Sequence, residues 1–401
     1  MKYAIIIPDG ASDEPLNELD GRTPLEAART PAMDEIAASG RQGLVQTIPP
    51  GFESGSDVAI MCLLGYDPAK YHSGRAPLEA AALKIPLIAT DTVFRCNLVT
   101  VVEGIMKDHS AGGISDAEAR QLLGELKAVV KISGVEFYPG VSYRNLMVYR
   151  GANTIAVKTI APHDIPEQPI AKHLPTGEGA DMLNMIMEVS QKLFENHEIN
   201  AVRKDNALNP ATQVWFWGQG HAQDMPAFDK KFGIKDGCMI TSVDLLRGLG
   251  LLMGWKTREV AGMTSFHDTN YKGQGEASAA ALDEFDIVLS HVEAPDEASH
   301  QGDIRTKISS IEAIDKHVVA PMLKKLKTFA DWRIMVLPDH PTNIHTRKHG
   351  NAPTPFCMAG TRITSPRQFP NFHEKNALAS DLKIDRGYEL MEYFLRHGML
   401  G

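Results

Sequence analysis

Six aspartate and histidine residues follow apolar runs that are typical of buried strands, and together they suit metal binding. They are Asp9, Asp296, His300, Asp339, His340 and His349. Asp296 and His300 are one helical turn apart, so their side chains can point the same way. Because the carboxyl ends of the strands form the ligand crevice of an open α/β sheet, residues distant in sequence can meet there. Carboxylates and neutral imidazoles suit Zn²⁺, Mn²⁺ or similar ions, and two such ions about 4 Å apart are a common device for phosphoryl chemistry. Any one of these residues taken alone is more often a turn former or a cap.

Ser56 is the candidate nucleophile. It lies in "ESGSDVAIMCLLG", where the apolar stretch after the serine predicts a helix that ends at Gly65. A helix N-terminus favours an anion, and a nearby metal would lower the pKa of the hydroxyl and make it a nucleophile. The competing interpretation is an ordinary N-cap, worth about 1 kcal/mol. The stretch by itself favours the cap.

Composition and charge narrow the class of protein. The chain has 401 residues, with 41 Lys plus Arg, 50 Asp plus Glu and a net charge of −9. An acidic chain without a basic run does not fit binding to nucleic acid or to an anionic membrane. No segment reaches 18 apolar residues, and the apolar run in "MKYAIIIPDG" is too short for a signal peptide. Four separated cysteines without a C-x-x-C motif predict packed, reduced thiols and a cytoplasmic location.

The elements that must position these residues alternate between strand-like and helix-like stretches. Short apolar runs predict strands at "YAIIIP", "TQVWFWG", "GCMITS", "DIVLSHV" and "RIMVLPD". Helical spacing and caps predict helices over about 30–40, 179–196, 242–254 and 304–326. Runs without alternation suit strands that are buried on both faces. The sequence therefore predicts an α/β fold, a layered sheet with helices on both faces.

The middle of the chain has a different pattern. It contains a strand at "TVFRCNLVTVVEG", a helix over 115–130, a hairpin around Pro139-Gly140 and a strand at "TIAVKTI". These elements predict a smaller α+β domain over 86–184, inserted into a main domain formed by 1–85 and 185–401.

Several stretches carry a resemblance to a known family. In chain order they are "IIIPDG", "GSDVAIMCLLGYDP", "SGRAPLEAA", "EAPDEASH" and "PDH", followed by "H-x-x-x-P-T-P-F". The sequence resembles, nearly end to end, the archaeal-type cofactor-independent phosphoglycerate mutases of the alkaline phosphatase superfamily. The resemblance implies a metal-binding, phosphatase-like main domain with an inserted phosphotransferase domain.

The resemblance also implies a mechanism with two divalent metal ions, Mn²⁺, Zn²⁺ or Mg²⁺. Carried over residue by residue, one ion would be held by Asp296, His300 and His349, and the other by Asp9, Ser56, Asp339 and His340. The Ser56 oxygen would attack the phosphate of a small phosphorylated substrate, and the phosphoserine would pass the group to another hydroxyl. The implied reaction is the glycolytic isomerisation of 3-phosphoglycerate and 2-phosphoglycerate without 2,3-bisphosphoglycerate.

The candidate substrate-binding residues rest on weaker grounds. They are Arg75, Arg95, Asn97, His109 and Arg144. Arg75 matches a family position, and the others fall in the predicted insert, where an arginine suits a phosphate or carboxylate. His291 and Glu293 share one face of their strand and are candidates for orienting the metal ligands.

Two alternative functions remain open. The stretches "VQTIPPGFESGSDVA", "FRCNLVTV", "VWFWGQG" and "DHPT" are more similar to a branch of the family proposed to phosphorylate homoserine. A noncatalytic protein that keeps the fold as a scaffold is the other alternative, and the intact set of candidate ligands argues against it.

Overall fold

The computed structural model describes residues 1–151, 156–222, 224–365 and 369–397. The chain forms two compact units. The larger unit comprises Met1–His72 and Met225–Gly401, and the smaller unit comprises Ser73–Asp224.

The strands and helices are numbered in chain order. The strands are β1 (Lys2–Pro8), β2 (Arg41–Val45), β3 (Thr92–Val102), β4 (Ile105–Asp108), β5 (Val135–Val141), β6 (Arg144–Tyr149), β7 (Val157–Lys158), β8 (Thr176–Gly177), β9 (Gln213–His221), β10 (Gly237–Ile240), β11 (Lys256–Thr257), β12 (Ile287–Val292), β13 (Trp332–Val336), β14 (Thr342–Asn343), β15 (Lys348–His349), β16 (Thr354–Gly360) and β17 (Lys383–Ile384). The α-helices are α1 (Pro24–Ala27), α2 (Pro31–Ser39), α3 (Ser56–Leu63), α4 (Pro68–Tyr71), α5 (Ala76–Ala82), α6 (Asp116–Val129), α7 (Ala180–Phe194), α8 (Glu198–Asp205), α9 (Phe228–Phe232), α10 (Asp244–Leu252), α11 (Tyr271–Glu284), α12 (Ala294–Gln301), α13 (Ile304–Ile314), α14 (Ala320–Leu326), α15 (Glu374–Leu378) and α16 (Leu390–Arg396). Short 3₁₀ turns occupy Asn17–Leu19, Pro162–Asp164, Ile170–Lys172 and Gly387–Glu389.

The main sheet of the larger unit has the strand order β11-β10-β12-β1-β13-β16-β2-β17. Strand β1 pairs in parallel with β12 and β13, whereas β16 runs antiparallel to β13 and β2. Every residue of β12 is buried, as is β1 after its first residue. Since neighbouring residues in a strand point to opposite faces, both faces of the sheet centre are covered. The predicted α/β class is confirmed.

The helices around the main sheet include one irregular element. The helix predicted over 304–326 is divided into α13, a π turn at Asp315–Val319 and α14. The Asp315 carboxylate accepts hydrogen bonds from the Ala32 and Met33 amides, at 3.1 and 2.7 Å, at the start of α2. Thr30, at the N-cap position of α2, makes no capping hydrogen bond with its side chain. A carboxylate from a distant helix therefore satisfies those amides.

The smaller unit is built on an antiparallel sheet. Its strand order is β4-β3-β6-β5, and β9 pairs with β3 along the other edge of β3. Helices α6 and α7 contribute Leu122, Leu126 and Leu183 to the core of this unit. The helix predicted after Ser115 is confirmed, and Ser115 and Glu118 form a reciprocal capping box.

Three expectations for the smaller unit need correction. The run "TQVWFWG" forms β9 and pairs with β3, so it does not belong to the main sheet, and the boundaries 86–184 are too narrow for the compact unit. An apolar run shows that a strand is buried but not which strand it pairs with. The predicted hairpin is formed by β5 and β6, but its turn lies at Ser142, where φ is +55°, because Pro139 and Gly140 are inside β5. Of the predicted strand "TIAVKTI", Thr154 and Ile155 lie outside the described residues, and the described remainder includes β7.

The cysteines are buried free thiols at Cys62, Cys96, Cys238 and Cys357. Burial raises the pKa of the Cys62 thiol to about 12, which keeps it protonated and unreactive. In the part of the chain that the structure describes, no helix combines the length and the apolar character needed to cross a membrane.

Candidate active site

The six predicted ligands lie in the larger unit, close to the carboxyl ends of three adjacent strands. Asp9 follows β1, Asp339 and His340 follow β13, and α12, which follows β12, carries Asp296 and His300. Two sets of three have ligand atoms within 4.8 Å of one another. We call them the first group (Asp296, His300 and His349) and the second group (Asp9, Asp339 and His340).

In the first group, the Nε2 atoms of His300 and His349 point towards each other. Nδ1 of His300 lies 2.9 Å from the Arg347 carbonyl, and Nδ1 of His349 lies 3.1 Å from the Ser54 carbonyl. A carbonyl only accepts, so each Nδ1 donates, and in a neutral ring Nε2 then carries a lone pair. The two Nε2 atoms are 2.9 Å apart, and His300 Nε2 is also 3.0 Å from Asp296 Oδ2. Two acceptor nitrogens at that distance repel each other unless a proton or a metal ion lies among them.

The pKa values of the first group also favour a positive charge at this place. Burial opposes the ionisation of Asp296, but hydrogen bonds with His300 and His349 outweigh burial and hold the pKa of this carboxyl well below its usual range. The hydrogen bond with Asp296 raises the pKa of His300 to about 9. The carboxylate is therefore ionised and draws a cation to the two imidazoles.

The second group surrounds Ser56. The Ser56 hydroxyl lies 3.2 Å from Asp9 Oδ2 and 3.3 Å from His340 Nε2. Asp9 Oδ1 and Asp339 Oδ2 lie 3.7 and 3.3 Å from the same nitrogen. These two buried oxygens have no hydrogen-bond partner among the described residues. Buried acceptors without donors are costly, and they mark a place for a cation.

The electrostatics of the second group also favour a cation. Burial, together with the nearby carboxylates of Asp339 and Glu293, raises the pKa of Asp9 well above its usual range. Burial lowers the pKa of His340, which leaves its ring neutral, the form that binds metals. Two buried carboxylates, one neutral imidazole and a hydroxyl fit a divalent cation. The residues present are therefore suited to divalent metal binding.

Ser56 does not act as the N-cap of its helix. It is the first residue of α3, the cap position is Gly55, and no side chain makes a capping hydrogen bond there. The Ser56 hydroxyl is instead directed to Asp9 and His340. The positive end of the α3 dipole lies next to this hydroxyl and favours an anion there.

A glycine is required at position 10 because the backbone there passes close to residues of both groups. Its φ is +59°, and a Cβ atom there would lie 2.6 Å from Asp296 Oδ1. Its amide donates to Asp339 Oδ1 at 3.2 Å. A side chain at this position would displace Asp296, a member of the first group.

His291 and Glu293, predicted to orient the ligands, lie beside Asp9. His291 Nε2 is 2.7 Å from Asp9 Oδ2, and its Nδ1 is 3.0 Å from the Thr241 hydroxyl. Burial lowers the pKa of His291 to about 4. Glu293 Oε2 lies 3.6 Å from His291 Nε2, and burial near Asp296 raises the pKa of Glu293 to about 8. The hydrogen bond from His291 is suited to fixing the orientation of Asp9.

The predicted substrate-binding residues all lie in the smaller unit. Arg95 is buried, its Nε is 3.0 Å from Glu79 Oε2, and its guanidinium lies 4.3 Å from the centre of the Trp217 ring. Arg75 Nε lies 3.6 Å from the other oxygen of Glu79. Burial lowers the pKa of Arg95 to about 10, and the nearby cations Arg75 and Arg144 contribute while Glu79 opposes. One carboxylate thus holds two arginines through their Nε atoms.

The other predicted residues border the same region. The Arg144 guanidinium lies 4.6 Å from the centre of the Tyr143 ring. The centre of the His109 ring lies 5.9 Å from the centre of the same tyrosine ring. Asn97 is buried, and its Oδ1 accepts a hydrogen bond from Trp217 Nε1 at 3.1 Å. The acceptor of Asn97 is therefore already used in holding Trp217.

Sequence reasoning missed several residues of this region. His163 lies 6.0 Å from His109 and 5.0 Å from Trp217, ring centre to ring centre. Burial lowers the pKa of His163 to about 4, and His109 and the arginines add to the effect. We call Arg75, Arg95 and Arg144 the cationic cluster, which His109 and His163 border. The available signals were the histidine in "PHD" and the aromatic run "WFW", and neither has a distinctive spacing.

Thr342 is the residue of the larger unit that was missed. It lies two positions after His340 in "DHPT", and its hydroxyl contacts Asp296 and His340. A hydroxyl two positions after a candidate metal-binding histidine is a signal that the sequence does offer.

Comparison with known proteins places the chain in a family. A family model described as 2,3-bisphosphoglycerate-independent phosphoglycerate mutase matches residues 37–200. A protein of that name from Methanothrix thermoacetophila is 48% identical over 364 residues, which cover 90% of this chain and 92% of that protein. A protein of the same name from Methanosarcina mazei is 43% identical over 399 residues, covering 99% of this chain and 100% of that protein.

Solved structures agree with the sequence comparison. The structure of a Pyrococcus horikoshii protein has a TM-score of 0.82 at 24% identity and supports the fold alone, covering 98% of this chain and 96% of that one. A cofactor-independent phosphoglycerate mutase from Thermoplasma acidophilum has a TM-score of 0.67 at 25% identity, covering 99% of both chains. This chain belongs to the family of 2,3-bisphosphoglycerate-independent phosphoglycerate mutases.

Proposed function

We propose that this chain is a metal-dependent phosphoglycerate mutase that interconverts 3-phosphoglycerate and 2-phosphoglycerate without 2,3-bisphosphoglycerate, as the names of its relatives indicate. The observation that carries the proposal is the Ser56 hydroxyl, which lies at the start of a helix and 3.2 Å from Asp9 Oδ2. A hydroxyl held among candidate ligands, at the positive end of a helix dipole, is suited to accept a phosphoryl group.

Two divalent metal ions, Mn²⁺, Zn²⁺ or Mg²⁺, are part of the proposal. One would be held by Asp296, His300 and His349, and the other by Asp9, Ser56, Asp339 and His340. When bound, such ions lower the pKa of a serine hydroxyl and neutralise the charge of phosphate oxygens. The facing Nε2 atoms of the first group and the buried oxygens without partners in the second group support this assignment.

The chain's own residues then carry the phosphoryl group. The Ser56 hydroxyl loses its proton, and its oxygen attacks phosphorus while the bond from phosphorus to the substrate oxygen breaks. The released alkoxide takes up a proton, which leaves glycerate and a phosphoserine. Attack by the other hydroxyl of glycerate reverses these steps and regenerates Ser56. The positive end of the α3 dipole stabilises the negative charge of the phosphate oxygens throughout.

The cationic cluster is proposed to bind the negative charge of the substrate. It carries three arginines, and the Glu79 carboxylate lies within ion-pair distance of the Nε atoms of Arg75 and Arg95. The Nη atoms of these guanidinium groups are suited to a carboxylate or a phosphate. Asn97 is proposed to support the cluster through Trp217.

The direct test couples conversion of 3-phosphoglycerate to enolase, without 2,3-bisphosphoglycerate, using protein loaded with Mn²⁺. Ser56→Ala is expected to abolish turnover, and the phosphoserine detected by mass spectrometry in the native protein should disappear. Ser39→Ala is the matched control, since the Ser39 hydroxyl bonds to the Glu35 carbonyl in its own helix. Turnover by Ser56→Ala near the native rate would contradict the mechanism.

A substrate panel separates the alternatives. Formation of O-phosphohomoserine from homoserine and ATP, without mutase turnover, would favour the homoserine branch. Inactivity towards both substrates in fully metal-loaded protein would favour a noncatalytic scaffold. We further propose a cytoplasmic location, because the four cysteines are free thiols in the structure.

A further inference from the structure

Thr342 contacts both ligand groups at once. It is fully buried, and in the β14–β15 pair it lies directly opposite His349 of the first group. Its Oγ1 lies 2.5 Å from Asp296 Oδ1, also in the first group, and 3.2 Å from His340 Nδ1 in the second. The side chain therefore bridges Asp296 and His340, and the backbone pairs with the strand that carries His349.

The hydrogens in this bridge can be assigned from chemistry. A hydroxyl has one hydrogen, and an ionised carboxylate only accepts. The hydrogen of the Thr342 hydroxyl therefore goes to Asp296, and the contact with His340 must be a donation from Nδ1–H to the threonine oxygen. The direction of both hydrogen bonds is fixed, from His340 through Thr342 to Asp296.

This direction decides which nitrogen of His340 faces the second group. With the hydrogen on Nδ1, the neutral ring carries its lone pair on Nε2. That nitrogen lies 3.3 Å from the Ser56 hydroxyl and 3.3 Å from Asp339 Oδ2. His340 is thereby held in the tautomer that can bind a cation through Nε2.

Hydrogen bonds also fix the backbone of Thr342. Its amide donates to the Ser12 carbonyl at 3.1 Å, and its carbonyl accepts from Lys307 Nζ at 2.7 Å. Lys307 is fully buried and forms an ion pair with Asp13 at 2.8 Å. The threonine is thus fixed on both sides, as a positioning role requires.

We propose that Thr342 is a positioning residue that couples the two metal-binding groups, by orienting Asp296 and by holding His340 in its cation-binding tautomer. The inference rests on the proposed metal binding, but not on which substrate the protein uses. This positioning role depends on the hydroxyl group of Thr342 and not on the volume of its side chain.

The test measures metal affinity and does not depend on turnover. Metal-free protein is titrated with Mn²⁺ by isothermal titration calorimetry, for the native chain and for the Thr342→Val and Thr342→Ser variants. Valine keeps the shape and removes the hydroxyl, whereas serine keeps the hydroxyl and removes the methyl group. We expect Thr342→Val to weaken Mn²⁺ binding at both sites by at least about tenfold, the usual scale for a residue that orients a ligand. Thr342→Ser should stay within about threefold of the native protein.

Thr354→Val is the matched control. Thr354 is also a fully buried threonine of the larger unit, but its Oγ1 finds no hydrogen-bond partner among the residues that the structure describes. This variant should bind Mn²⁺ as the native chain does. If Thr342→Val does not fold, Thr342→Ala is compared with Thr342→Ser, because these two differ by the hydroxyl alone.

The outcomes separate this inference from the proposed function. Native affinity in Thr342→Val, weakening at one site only, or a larger loss with serine than with valine would overturn the coupling role while leaving metal binding intact. A native chain that binds no Mn²⁺ would overturn both.

Discussion

The ion pair behind the candidate site gives a prediction whose size follows from the structure. Lys307 and Asp13 have fully buried side chains, and Lys307 Nζ also donates to the Thr342 carbonyl. Lys307→Met removes the ammonium but leaves the Asp13 carboxylate, whose remaining donors among the described residues are the Glu14 and Ile344 amides. Removing one partner of a buried pair costs about 3–5 kcal/mol, because the remaining charge stays buried. We expect the larger unit to lose stability by that amount.

Hydrogen exchange read by mass spectrometry measures this loss within one unit. Peptides from β1 and β13, at the centre of the main sheet, report the free energy of opening of the larger unit. A loss of 3–5 kcal/mol corresponds to exchange faster by roughly 10²–10⁴-fold, since 1.4 kcal/mol is a factor of ten. Lys307→Met should show this increase in metal-free protein.

The matched control is the same substitution at an exposed pair of the larger unit. Lys327 pairs with Glu35, and both side chains are about half exposed. Exposed pairs contribute about 0–1 kcal/mol, so Lys327→Met should leave exchange nearly unchanged. If Lys307→Met and Lys327→Met change the free energy of opening by the same amount, the reasoning about the buried charge is refuted.

Three further predictions concern the ligands and the substrate. Gly10→Ala should weaken Mn²⁺ binding by at least about tenfold in a calorimetric titration, because the added Cβ would lie 2.6 Å from Asp296 Oδ1. Gly21→Ala is the control: Gly21 also has a positive φ, but the space around it is open, so this variant should bind Mn²⁺ as the native chain does. Arg95→Lys should raise the KM for 3-phosphoglycerate about tenfold because the planar fork of the guanidinium is lost, and Arg120→Lys, at an exposed position, should leave it unchanged. Chelation should lower the thermal stability of the larger unit, by about 2.7 kcal/mol if the metal was present at 100 times its Kd, and added Mn²⁺ should restore it. If chelation leaves the stability of metal-loaded protein unchanged, the result would contradict the expectation that the metal ligands come together only in the folded state.

The candidate ligands could be found in the sequence because of a general property of parallel sheets. Asp9, Asp296 and Asp339 each come shortly after an apolar run, and parallel strands present their carboxyl ends at one edge. Local pattern was enough to predict that these side chains could meet. Ser56 needed the family resemblance as well, since a serine before a helix is more often a cap.

Pairing between distant strands could not be predicted in the same way. The run that forms β9 has the composition of a main-sheet strand, yet it pairs with β3 in the smaller unit. Burial determines the apolar composition of a strand, whereas its neighbour depends on how the whole chain closes. For this reason the boundary of the smaller unit was misplaced.

The sequence by itself determined the fold class, the alternation of elements and the chemical types available at the strand ends. Only the tertiary structure decided which nitrogen of His340 faces Ser56, and that Thr342 and the buried Lys307 stand behind the ligands. Hydrogen-bond direction and burial depend on atoms from β13, β14, α12 and α13, which are far apart along the chain. Periodicity records the environment of one element at a time, so it contains no information about contacts that exist only when several elements meet.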